Sequence, residues 1–209
     1  MNQFINEFIS ALLQVLAFTL LPFLVFLFRK DKSVSFSEYI GFYKPPSLAV
    51  FYSVFTSFIF LATGIGLVFI DEGFKQIVLS PLSVTGKIRA MGFTAVSVSI
   101  LILIAVIKTS LSEEILFRGF IAKQLIAKLG FAFGNVLQAL IFGAVHLLLV
   151  WRLIDPTPLG LILITFFSTL GGWTIGYIKI KFGQGSIIPG WIAHGLGNLI
   201  SYTVIAFVL

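Results

Sequence analysis

Only 11% of the residues are charged, yet Glu113, Glu114 and Arg118 stand together in "SLSEEILFRGF" (residues 110–120). The only two histidines, His146 and His194, follow on two later apolar stretches. Carboxylates and imidazoles are the side chains best suited to move protons near neutral pH. A charge at mid-bilayer costs about 2.5–3.5 kcal/mol on insertion scales, so such groups inside apolar runs need a reason. On an α-helix successive residues turn by about 100° and i nearly aligns with i+4. Glu114 therefore faces Arg118 and the two can neutralise each other, whereas Glu113 has no partner in its own segment. An unpaired, partly desolvated carboxylate is suited to act as a general base.

His146 closes "NVLQALIFGAVH", where Asn135, Gln138 and Phe142 precede it by eleven, eight and four residues and share its face. This partly polar stripe predicts a helix face turned to protein; alone it could serve only interhelical hydrogen bonding. In "GSIIPGWIAHGLGN", His194 and Asn198 sit at i and i+4, with Gly190, Gly195 and Gly197 allowing close approach by another helix or a substrate backbone. Gly172 and Gly176 form a small-residue packing pattern in the preceding stretch. Together, three stretches offer a carboxylate, two imidazoles and an amide. A Glu–His pair can hold and deprotonate a water, directly or through a metal, and a His–Asn pair can donate to the oxyanion of an attacked carbonyl. The reaction class this supports is hydrolysis of a peptide bond within a membrane. Two rival classes use the same residues: a scaffold or immunity protein that does not cut, and a transporter with a proton or ion relay. The relay predicts paired broken helices in corresponding halves, and the sequence shows no such symmetry.

The elements that must position these groups are membrane helices. Hydrophobic residues make up 58% of the chain and the mean hydropathy is +1.09, against about 25% charged residues in ordinary soluble domains. Six apolar stretches, at roughly 8–28, 48–70, 91–112, 131–151, 159–179 and 186–208, each approach the roughly 20 residues that cross a bilayer. The predicted fold is all-α, a polytopic transmembrane bundle of about six spans. Residues 1–90 supply two accessory helices and loops, and 91–209 carry the catalytic core in the last four spans. The absence of cysteine excludes disulfides, thiolate metal sites and a cysteine nucleophile. The net charge of +6 is scattered over short connecting segments and forms no patch for nucleic acid; the expected partners are the lipid bilayer and a membrane-associated peptide or protein. With both termini outside, inner loops hold eight basic residues (Arg29, Lys30, Lys32, Lys44, Lys123, Lys128, Lys179, Lys181) and outer ones four (Lys75, Lys87, Arg89, Arg152). The site then opens to the cytoplasm. His146 lies about fifteen residues into its stretch while Glu113 ends its own. They reach one level only if the Glu113 helix continues past residue 120, which "EEILFRGFIAKQLIAKL", free of proline, permits.

Glu-Glu-x-x-x-Arg (Glu113, Glu114, Arg118), Phe-x-x-x-His (Phe142, His146) and His-x-x-x-Asn (His194, Asn198) occur in that order on separate stretches. With the lead-in "GGWTIGYIKIKFGQGSIIPGWIAH", they resemble the CPBP family of intramembrane proteases, which includes the CAAX prenyl endopeptidases of Rce1 type and the bacterial Abi-type proteins. The resemblance spans roughly residues 91–208. It implies that Glu113 and His146 activate a water, His194 and Asn198 bind the oxyanion, and Glu114 with Arg118 supports the site or the substrate terminus. Both metallo- and metal-free glutamate mechanisms are argued for this family. Glu113, His146 and His194 could hold Zn with an open fourth position, at the cost of taking His194 from the oxyanion. With only two spans before the motif region, the chain is shorter than eukaryotic members and resembles a compact member of the bacterial cytoplasmic membrane.

Overall fold

In a computed structural model, residues 2–29, 33–154 and 156–209 are described, and among them there are helices and no strands. Lys30 and Lys32 of the loop count lie outside the described residues. The helices are α1 (Asn2–Leu27), α2 (Phe36–Ile40), α3 (Ser47–Ile70), α4 (Glu72–Leu79), α5 (Val84–Ala90), α6 (Ala95–Ile102), α7 (Ala122–Leu153), α8 (Pro158–Lys181) and α9 (Ile188–Phe207). Between α6 and α7 the chain stays helical through two π-helical segments, Leu103–Leu111 and Glu114–Ile121.

Four helical stretches are long and apolar enough to cross a membrane: Asn2–Leu27, Ser47–Ile70, Ala95–Arg152 and Pro158–Lys181. The number is smaller than six for two physical reasons. The third and fourth sequence stretches belong to one continuous helical run of 58 residues, folded back on itself at Gly130, whose φ of 74° and ψ of 168° are open to glycine without strain. The sixth, α9, is 20 residues long, but Pro189, Gly190, His194, Gly195, Gly197 and Asn198 dilute its apolar character. α1 is apolar almost all round and buries only Ala11 and Pro22, as a lipid-facing helix does.

The bend at Gly130 removes the mismatch in depth between Glu113 and His146. The first arm continues past residue 120, as its lack of proline allows. Glu113 lies seventeen residues before the bend and His146 sixteen after it, so the antiparallel arms bring them to one level. Arg118 and Phe142, each twelve residues from Gly130, touch: the guanidinium carbon sits 4.3 Å from the ring centroid.

The π-helical geometry follows from competition for backbone carbonyls. Ser110 Oγ donates to Ala105 O (2.6 Å), Thr109 Oγ1 to Ile104 O (2.9 Å), and Ser112 Oγ to Lys108 O and Thr109 O. Distant side chains supply further donors. Gln14 Nε2 donates to Lys108 O (2.7 Å), Trp191 Nε1 to Val106 O (2.7 Å), and Lys179 Nζ to Arg118 O (2.6 Å). Thus α1, α9 and α8 each satisfy a carbonyl of this widened helix, in an environment where an unpaired backbone group is costly.

The second arm of α7 packs on α8, α3 packs on α9, and α1 lies against the π-helical segments. At one end of the bundle, the α8–α9 turn is locked to the loop after α2: Ile187 N–H donates to Gly41 O (2.8 Å) and Tyr43 Oη to Gln184 O (2.8 Å). At the other end α5 meets the end of α9, where Arg89 reaches the carbonyl of Ile205.

Candidate active site

Glu114 and Arg118 are fully buried, and Arg118 Nη1 lies 3.1 Å from Glu114 Oε1. The expected i,i+4 pair is therefore present, although the segment is a π-helix. It is an ion pair without aimed hydrogen bonds. All three guanidinium nitrogens lack an acceptor, and the guanidinium is held over the Phe142 ring, which Phe117 meets edge-on at 4.9 Å. Glu114 Oε1 also lies 3.4 Å from His194 Nδ1, so one carboxylate oxygen serves both the arginine and the histidine.

Glu113 has no partner in its own segment, but its carboxylate turns to the same imidazole as that of Glu114. Both Oε2 atoms are buried without a hydrogen-bond partner, and Glu113 Oε2 lies 3.8 Å from His194 Nε2. His194 therefore sits with one ring nitrogen toward each glutamate. No hydrogen bond or ion pair joins Glu113 to His146 among the described residues. His146 Nδ1 is 2.9 Å from Phe142 O in its own helix. A carbonyl only accepts, so Nδ1 donates to it, and Nε2 stays outside that bond. Asn198 Nδ2 rests on the hydroxyls of Thr109 (3.3 Å) and Ser110 (3.4 Å) of the first π-helical segment.

His146, His194 and Asn198 open onto one cavity of about 220 Å³ between α3, α4, α7, α8 and α9. Its walls are mainly apolar, with Phe60, Phe74, Phe142 and Phe167, and Ser168, Ser201 and Tyr202 add hydroxyls.

A model of the family of type II CAAX prenyl endopeptidases, Rce1-like, matches residues 95–200, half of the chain. The chain belongs to the Rce1-like family. Its long apolar helices and this membership make it an integral membrane protein of the protease class. The Rce1-like segment carries Glu113, Glu114, Arg118, Phe142, His146, His194 and Asn198. Comparison with curated proteins and with solved structures gives no match.

Several residues that hold this Rce1-like site carry no sequence signal. Lys179, read from the sequence only as a loop cation, is 4% exposed and donates to Arg118 O. Trp191, Gln14, Thr109 and Ser110 act through the widened helix, and only their long-range partners reveal them. The polar stripe below His146 proves structural. Asn135 Nδ2 donates to Trp173 O (3.0 Å) and Gln138 Nε2 to Gly172 O (2.8 Å), at the place where Gly172 and Gly176 let α8 approach α7. A Cβ on Gly176 would overlap Asn135 Oδ1.

The sequence offers Glu113, His146 and His194 as a zinc set. Among the described residues no three His, Cys, Asp or Glu side chains gather as a metal site. His146 Nδ1 is engaged with its own helix, which leaves Nε2 open, and His194 lies between the two glutamates. As placed, Glu113, His146 and His194 do not form a three-ligand site.

Gly190 shows how tightly the pair is enclosed: a Cβ there would overlap Glu114 Oε2 and lie 2.6 Å from Ile175 Cγ2. Gly190→Ala is therefore expected to displace Glu114 and lower stability by about 1–3 kcal/mol. A melting temperature in detergent equal to that of the unaltered protein would show that the carboxylate has room to move.

Proposed function

We propose that the chain is an intramembrane endopeptidase of a bacterial cytoplasmic membrane, hydrolysing a peptide bond of a membrane-associated peptide or protein. The observation that carries this reading is Glu113, whose carboxylate, unlike that of Glu114, has no arginine partner and keeps its buried Oε2 without a hydrogen bond beside His194 in a Rce1-like chain. A buried acceptor left open is where a water proton can be received.

In this reading a water is held between Glu113 and His146, whose Nε2 acceptor fixes its orientation. Glu113 takes one water proton as the oxygen attacks the carbonyl carbon. The carbonyl oxygen becomes an oxyanion and accepts hydrogen bonds from His194 and Asn198. The C–N bond then breaks, and the proton on Glu113 passes to the leaving amine. Glu114, held by Arg118, fixes the ring of His194. The phenylalanine-walled cavity suits an apolar side chain of the substrate. The partners are the bilayer and the substrate peptide, and nucleic acid plays no part.

The reaction needs no metal in this form. Cleavage is expected to survive a strong chelator. Loss of activity on chelation, recovery with added zinc, and about one zinc per chain that disappears in His146→Ala would replace it with a metallopeptidase mechanism. The peptides to assay come from comparing the membrane peptidomes of cells with and without Glu113→Ala.

The site faces the cytoplasm in this proposal, because basic loop residues concentrate at that end. A topology reporter fused after Leu209 is expected outside and one near Lys44 inside. A cytoplasmic C-terminal reporter would invert the orientation.

A further inference from the structure

A second cavity, of about 250 Å³, lies where the loop after α2 meets the first arm of α7 and the end of α8. Two lysines line it. Lys179 is 4% exposed and donates to Arg118 O (2.6 Å); Lys123 donates to Tyr39 O (2.6 Å) and stands 4.2 Å above the Tyr39 ring. Each ammonium has three N–H groups, so each retains donors beyond these bonds. Among the described residues neither has a carboxylate within 4.0 Å. Glu38 also lines the cavity, but its carboxylate is occupied, accepting from the Ser35 N–H (2.7 Å) and hydroxyl (2.8 Å). Those two bonds hold the Glu38 carboxyl below its ordinary pKa. Arg29, with its guanidinium carbon 4.8 Å from the centroid of the Tyr39 ring, adds positive charge nearby.

Two ammonium groups, one of them buried, thus share a cavity without an anion of their own. Burying a cation uncompensated is unfavourable, and an anion with several acceptor oxygens relieves it through charge-assisted hydrogen bonds. Basic pockets between membrane helices receive phosphate headgroups in this way. We propose that this cavity binds a phosphate-bearing anion whose oxygens accept from Lys123 and Lys179, supplied either by a phospholipid headgroup or by free phosphate. Because Lys179 also holds the Arg118 carbonyl, the bound anion rests against the helix that carries Glu114.

The test uses the full purified chain in detergent and reads its melting temperature. One arm compares phosphatidylglycerol with phosphatidylcholine in mixed micelles; the other compares inorganic phosphate with chloride at equal ionic strength. A rise of at least about 3 °C at saturation is expected with one probe. It should be abolished in Lys123→Gln and retained in Lys123→Arg. A rise with phosphatidylglycerol alone assigns the headgroup, and a rise with inorganic phosphate assigns the free ion. No rise with either probe, or an equal rise in Lys123→Gln, overturns the proposal. If Lys123→Gln does not fold, native mass spectrometry of the unaltered chain decides: about one retained phosphate-bearing anion per chain supports the site, and none overturns it.

Discussion

Glu113→Gln is expected to lower peptide cleavage by at least about 10²-fold, the usual scale for removing a general base, while leaving the melting temperature nearly unchanged. Glutamine keeps the shape of the side chain but cannot receive the water proton. Little stability is at stake, because Glu113 Oε2 makes no hydrogen bond and its nearest imidazole nitrogen, His194 Nε2, is 3.8 Å away. The effect should fall on kcat more than on KM, since the carboxylate acts as charge moves and not in holding the peptide. Unchanged cleavage by a folded Glu113→Gln protein would remove Glu113 from the mechanism and turn attention to the other glutamate.

Glu114→Gln is expected to behave differently. Both members of the Glu114–Arg118 pair are fully buried. Removing one charge leaves the other uncompensated, which costs about 3–5 kcal/mol. The melting temperature should fall by on the order of 10 °C. Glu114→Gln combined with Arg118→Met should recover part of that loss, because no unpaired charge remains. Cleavage should stay low in the double variant, since His194 Nδ1 has lost the carboxylate that fixes its ring. Melting temperatures and cleavage rates of the three proteins together decide the assignment. A stable, inactive Glu114→Gln beside an active Glu113→Gln would exchange the roles of the two glutamates.

The local periods of the sequence determined the helices, the pairing of Glu114 with Arg118, and the glycine face of α8 that receives Asn135 and Gln138. Each depends on residues within a turn or two, where side-chain spacing and backbone geometry are directly linked. The Glu114–Arg118 contact persists in a π-helix because i+4 remains a neighbour when the turn is widened. Tertiary structure alone decided the rest. The π-helical segments are held by donors from α1, α9 and α8, namely Gln14, Trp191 and Lys179, which lie 94, 85 and 61 residues from the carbonyls they satisfy. Nothing in the local period records such bonds. The 58-residue helical run folds at one left-handed glycine, and this sets the levels of Glu113 and His146. Hydropathy, which averages over a window, registers an apolar run on each side of Gly130 but not whether the backbone between them remains helical. The nearer imidazole to Glu113 is that of His194, because α9 inserts Gly190 against Glu114 and so brings its next turn onto both carboxylates. Lys179 had the sequence signature of a solvated loop cation; it is buried because the widened helix offers it the Arg118 carbonyl. Side-chain chemistry was legible residue by residue, whereas the partner of each group was fixed by which helix packed beside it.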